Sequence, residues 1–148
     1  MSSTSIRAAV KTRLVELMSD AVGDVQVTYG WPGKDLKTEC IYVGKTTGPV
    51  TVADMRGGRK TRDDTFTIEV HFLAGKPGQT ARAADERVLE LYGVFEDVLA
   101  ANGNLGGFPG VLWAAQLGDD FETADPAPTT EGYLGIATAH AHIKTRLT

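Results

Sequence analysis

The sequence predicts an α+β domain of two layers, a mixed or antiparallel β-sheet of about four to five strands flanked by two main helices. Three observations predict it. Phe66, Ile68, Val70 and Phe72 alternate with Thr65, Thr67, Glu69 and His71, the period of a strand with one packed face and one wetter face. Past Gly75-Lys-Pro-Gly78 the period changes, and Val88, Leu91, Tyr92, Phe95, Val98 and Leu99 recur at helical spacing, with Gly103 placed as a stop. Strand patterns also come in runs interrupted by only two helical patterns, which favours an antiparallel or mixed sheet over repeated βαβ units.

Taken in order, the hydroxyls of residues 2–5 offer caps for a first helix whose face is Ile6, Val10, Leu14, Leu17, Met18 and Ala21, ending near Gly23. Val25, Val27 and Tyr29 then alternate as a short strand before Gly30-Trp-Pro-Gly33, and residues 39–43 form a second strand before Gly44. The two are expected to pair as a hairpin with a long loop. Residues 45–64 read as an extended excursion: Val50, Val52 and Met55 have the spacing of a strand edge, and Arg56-Gly-Gly-Arg-Lys-Thr-Arg62 forms a polar tip. Beyond the central strand and the second helix, residues 111–117 read as a strand, 118–130 as an acidic, proline-containing loop and 133–146 as a last long strand. The expected order is αβββαββ.

Length and composition set bounds. A chain of 148 residues suits one domain, 1–148, and its 42% hydrophobic and 23% charged residues are ordinary for a globular protein. A net charge of -4 argues against a protein whose main work is gripping phosphate backbones, since Lys and Arg dominate that work. The single cysteine, Cys40, excludes an internal disulfide and reads as a buried strand thiol rather than a nucleophile. The N-terminal residues lack an apolar signal core, and no stretch reaches the roughly 18 apolar residues of a membrane span, so synthesis and folding in the cytoplasm, with no membrane partner, are expected.

The candidate chemistry is sparse. His71, His140 and His142 all fall on strand patterns, the last two on one face, with Glu69 on the same face as His71; a zinc or iron site would need these groups to converge, and their spacing is not diagnostic. Solvent-facing strand residues are the plainer reading, and no metal or other cofactor is assigned. Gly57-Gly-Arg-Lys-Thr61 lacks the order of a phosphate-binding loop and does not sit between a strand and a helix. Arg56, Arg59, Lys60 and Arg62 instead make a basic segment, partly neutralised by Asp63 and Asp64. Asp119, Asp120, Glu122 and Asp125 do not match a calcium loop, which requires a fixed glycine and a final glutamate. Their charge complements the basic segment, and the two are candidates to meet between subunits, as a heterologous interface requires. No Gly-x-Ser-x-Gly elbow or activated cysteine appears, so no catalytic residue is assigned and a non-enzymatic role is expected. Trp31 and Trp113 read as packing groups, with Trp31, next to Pro32 in a loop, the alternative candidate for an exposed interface anchor.

Val27-Thr-Tyr-Gly-Trp-Pro32, Glu39-Cys-Ile-Tyr-Val-Gly44, Thr65-Phe-Thr-Ile-Glu-Val70, the helix spanning 81–101, and Gly132-Tyr-Leu-Gly-Ile-Ala-Thr-Ala139 together resemble the tail terminator (tail completion) proteins of long-tailed bacteriophages. The resemblance covers most of the chain and lies in element order, length and soft patterns: an N-terminal helix, a Tyr-Gly-x-Pro turn, a Glu-x-Ile-x-Val-Gly strand, then a strand and a helix. It implies a structural virion protein of the tail neck, assembled in the host cytoplasm. Such a protein forms a hexameric ring on the last ring of the tail tube protein, ends tube polymerisation and offers a joining surface to the head-completion or connector protein. DNA would pass through the ring without sequence-specific binding, and modest acidity suits that passage. The alternatives are another neck component, such as a head-closure or connector protein, a small metal-dependent enzyme using the three histidines, and a nucleic-acid binder using the basic segment Arg56 to Arg62.

Overall fold

The computed structural model describes residues 3–48, 50–54, 61–106, 111–118 and 120–147. In chain order the elements are helix α1 (Ser3–Val22), strand β1 (Gln26–Tyr29), a 3-10 turn (Gly33–Asp35), β2 (Glu39–Thr47), β3 (Val50–Asp54), β4 (Thr61–Ala74), helix α2 (Ala81–Ala101), β5 (Val111–Leu117), β6 (Glu122–Thr129) and β7 (Gly132–Leu147). The fold is α+β: two helices lie against a mixed sheet whose strand path is β1-β2-β4-β7-β5. The two further strands lie end to end with members of that path: β3 pairs with β4 at residues 61–64, on the side where β2 pairs further along, and β6 pairs with β7 at residues 132–138, on the side where β5 pairs further along.

The centre of the sheet is the long antiparallel pair β4 and β7, in continuous register from Arg62 opposite Leu147 to Ala74 opposite Gly135. That register puts Phe66, Ile68, Val70 and Phe72 beside Ile143, Ala141, Ala139 and Ala137, all essentially without exposure. Small alanines on one strand leave room for the aromatic and branched residues of the other and for the helices above. From α2 come Val88, Leu91, Phe95, Val98 and Leu99, and from α1 come Ile6, Val10, Leu14 and Met18. Leu17 packs only partly against this core and Ala21 is exposed, so the buried stripe of α1 is narrower than its sequence pattern.

α2 starts where Thr80, in extended backbone conformation, accepts a hydrogen bond from the Ala83 N–H. Its end differs from expectation. Asn102 provides the stop: its backbone N–H and its side-chain amide both donate to the Val98 carbonyl, while the left-handed backbone falls later, at Leu105 and Gly106. Leu105 is fully buried in the core, and its carbonyl accepts from Arg13 Nε at 3.0 Å, which ties the end of α2 to α1.

Two further expectations are overturned. β1 and β2 pair in parallel, from Gln26 opposite Cys40 to Tyr29 opposite Val43, so they are not a hairpin. The chain leaves β1 through Gly30 at φ 84°, runs through Trp31 and Pro32 into the 3-10 turn, and returns to the start of β1. Gln26 fastens the return, donating to the Asp35 carbonyl and accepting from the Lys37 N–H. The segment 118–130 is likewise not a loop throughout, because residues 122–129 form β6 and pair with β7. The expected strand edge at Val50 and Val52 is β3; Met55 and the tip of the excursion, 55–60, lie outside the described residues, as does the capping hydroxyl Ser2.

Candidate functional site

With both helices on one face, the functional candidates collect on the other face and at the sheet's ends. Strand alternation places Thr67, Glu69 and His71 of β4 on the face away from the helices, opposite His142, His140 and Thr138 of β7. Tyr42 of β2 is opposite His71 and stacks on it, centroids 4.5 Å apart and planes at 17°; Trp31 meets Tyr42 edge-on at 5.4 Å. A register shift after Val43 places Gly44 beneath the imidazole, where a Cβ would sit 3.2 Å from His71 Cδ2.

His71 is held from both nitrogens. Nε2 lies 3.3 Å from Glu69 Oε1 and Nδ1 lies 3.2 Å from the Thr138 hydroxyl. A neutral ring with the proton on Nε2 satisfies both, donating to the carboxylate and accepting from the hydroxyl. Burial pushes the His71 pKa below the usual histidine value, assisted by the nearby His140 and opposed by the charge and hydrogen bond of Glu69. Lys45 Nζ approaches the same carboxylate at 3.5 Å. Burial likewise raises the Tyr42 hydroxyl, with Cys40 and Glu69 adding to the shift.

The other two histidines do not join this centre. His142 Nδ1 pairs with the Thr67 hydroxyl at 2.8 Å, and His140 Nδ1 lies 3.2 Å from the Asp120 backbone carbonyl and 3.7 Å from its carboxylate. The carbonyl contact is the hydrogen bond; at the longer distance the exposed carboxylate is a weak ionic neighbour. Among the described residues no group of three or more His, Cys, Asp or Glu side chains is placed to hold a metal ion. Cys40 is completely buried, and desolvation raises its thiol pKa, opposed by a hydrogen bond with Thr28, so it lacks the thiolate character of a nucleophile.

Of the charged candidates, Arg56, Arg59, Lys60 and Asp119 lie outside the described residues. Arg62 stands on β4 opposite Leu147, and Glu122 on β6 opposite Thr138. These positions on β7 are nine residues apart, roughly 30 Å of strand, so Arg62 and Glu122 do not meet within one subunit. Asp120 and Glu122 are exposed at the β5–β6 connection, where the Gly118 N–H donates to the His140 carbonyl.

Two features are not evident from the sequence patterns. Glu39, nearly buried at the head of β2, forms a bidentate pair with Arg87 of α2 at 2.7 and 3.1 Å, fastening sheet to helix; its hydrogen bond is the main reason the Arg87 pKa is raised. The signal was an acidic residue opening an apolar strand. Beside this pair lies an open groove of about 800 Å3 lined by residues including Asp24, Gln26, Lys37 and Lys76. The second feature is exposed aromatic surface at β1. Trp31 is 58% exposed, which its place next to Pro32 in a loop allowed for, and Tyr29 is 51% exposed, which its strand pattern did not signal.

No helix among the described residues is long and apolar enough to cross a membrane. No family model matches the sequence, and no curated protein does. Among solved structures, one whose name describes no activity is similar over 100% of this chain and 98% of its own, at 17% identity and a TM-score of 0.42, a likeness too slight to bear on fold or function.

Proposed function

We propose that this protein is a structural subunit of a virion ring that caps the head-proximal end of a phage tail tube, ends tube polymerisation and presents the head–tail joining surface. Its partners in this reading are further copies of itself, forming a homo-hexamer, the tail tube protein and a head-completion or connector protein. It assembles in the host cytoplasm and ends in the tail neck, with DNA passing through the ring.

The observation that carries the reading is how the segments behind the resemblance sit together. They are β1 with its Gly30-Trp-Pro turn, β2, the middle of β4, α2 and the start of β7, which form adjoining parts of the sheet and its helix cover. Further support comes from the polar face. His71, Glu69, Thr138 and Tyr42 are engaged with one another, and Trp31 and Tyr29, the most exposed of the large apolar side chains among the described residues, flank a sheet edge, as suits a protein that works through contacts.

The test is capping of purified tail tubes, with labelled protein located by electron microscopy and tube growth then challenged with fresh tube subunits. Label confined to one tube end with growth blocked is the expected result. Failure of the folded protein to bind either end would sink the terminator reading and favour a connector on the portal side.

A further inference from the structure

The margins of the sheet are unequal. β6 is an exposed edge built against further pairing: Pro126 and Pro128 remove two N–H donors, and Glu122 and Asp125 place carboxylates along it. β1 and β5, which end the strand path, contain neither proline nor charge, reading Gln-Val-Thr-Tyr and Val-Leu-Trp-Ala-Ala-Gln-Leu. Among the described residues each pairs on one side only, β1 with β2 and β5 with β7. An uncharged strand with one free row of N–H and C=O groups is a template for another strand.

The β1 end carries more than a free backbone. Tyr29 follows Val25 and Val27 onto the helix side, where the Lys11 ammonium lies 4.2 Å from its ring centroid. Past Gly30 the chain crosses to the other side, and Trp31 packs edge-on against Tyr42. Two exposed aromatic groups thus bracket one strand end, one on each face. Charge also distinguishes the two ends. Lys11, Lys34 and Lys37 surround β1 together with Asp24 and Asp35, whereas residues 118–131, which follow β5, contain five acidic residues and no Lys or Arg.

We infer that the β1 edge of one copy docks on the β5 edge of a second copy, continuing the sheet across the subunit boundary. The occupant is a second copy because both halves of the contact are present in one chain, at opposite ends of one sheet: on each an edge with no strand partner among the described residues, lysines near the first, and the exposed Asp120 and Glu122 just past the second. Such a contact joins two different surfaces and propagates from subunit to subunit until it closes. The inference rests on the ring reading for that closure, and not for the pairing.

The experiment mixes two variants of the full chain, Lys34→Cys and Gln116→Cys, and treats them with a short bismaleimide. The parent chain gives the background from buried Cys40. A cross-linked pair is expected in the mixture and not in either variant alone. In parallel, Trp31→Glu and Ala115→Lys are expected to weaken self-association in sedimentation by about thirtyfold or more, as loss of an interface anchor does, with the circular dichroism of the parent retained. Absence of the cross-link in a sample that sedimentation shows to be associated overturns the inference, and so does a parent chain that remains monomeric both in solution and on tubes. Tube capping, scored on the same samples, separates the two ideas. Edge-dependent association without capping removes the ring reading alone, whereas capping by both charged variants as well as by the parent removes the edge contact alone.

Discussion

On the face of the sheet that the helices cover, β4 presents Phe66, Ile68, Val70 and Phe72 to alanines of β7 and to apolar residues of α1 and α2; on the opposite face the same strand presents Thr67, Glu69 and His71 to hydroxyls, rings and a lysine. The first face is stabilised by removing carbon from water and filling space, and it tolerates little loss of volume. The second is held by directional contacts between half-buried polar groups, each worth less but sensitive to protonation. One strand of period two therefore supports a rigid scaffold on one side and a chemically responsive surface on the other.

The largest expected effect breaks the covered face. Phe72 has no exposure and meets both Tyr92 and Phe95 in edge-on contacts, at 6.2 and 5.8 Å. Phe72→Ala should cost about 3–5 kcal/mol in denaturant unfolding, the range for deleting a buried aromatic ring. A loss near that of Thr67→Ala, on the other face of the same strand, would show that the faces do not differ as their packing indicates.

A smaller effect sharpens how closely the two layers fit. Gly135 of β7 lies beneath the first turns of α2, where an added Cβ would collide with the Ala84 carbonyl oxygen and stand 2.8 Å from its carbon. Backbone cannot step aside as a flexible side chain does, so Gly135→Ala must push α2 off the sheet and should cost about 1–3 kcal/mol. By contrast Gly93, in the middle of α2, has open space around it, and Gly93→Ala should be neutral or stabilising. Equal effects at the two glycines in thermal melts would rule out the close approach as the reason for Gly135.

These same elements explain what was legible in the sequence. The apolar alternation of β4 and the spacing of Val88, Leu91, Phe95 and Leu99 in α2 encode burial directly, because those residues serve only the shared core. β6 was not legible. Asp125-Pro-Ala-Pro carries the composition of a loop, yet a strand at an exposed edge needs only one row of hydrogen bonds, and prolines and acids are compatible with the other side. The parallel pairing of β1 and β2 was hidden for a different reason. Gly30-Trp-Pro-Gly33 gives a turn signal, and only the fastening of Asp35 and Lys37 to Gln26 returns the chain to the strand's beginning. Among the candidate site residues, the histidines were located on the correct strands, but their separate partners depend on cross-strand register and on the fold-back at Gly118, neither of which has a local sequence signal.

The smallest effect tests the polar face through pH. His71 is faced by Glu69 from its own strand, by Tyr42 and Lys45 from β2 and by Thr138 and His140 from β7. With its folded pKa depressed by burial, the unfolded chain binds more protons than the folded one between that depressed value and the ordinary histidine value near 6.5. Stability therefore rises with pH in that window: it is fully present above about 6.5 and is lost as pH falls through the folded pKa. His71→Asn removes this titration while His140, His142 and the carboxylates remain, so the difference in stability between parent and variant isolates it. Thermal melts at pH 7.5, 6.5 and 5.5 should show the parent losing stability relative to the variant on acidification. A constant difference across the three would mean that the ring tolerates a proton in place, with the Glu69 carboxylate compensating its charge, and the polar face would then be as indifferent to pH as the apolar one.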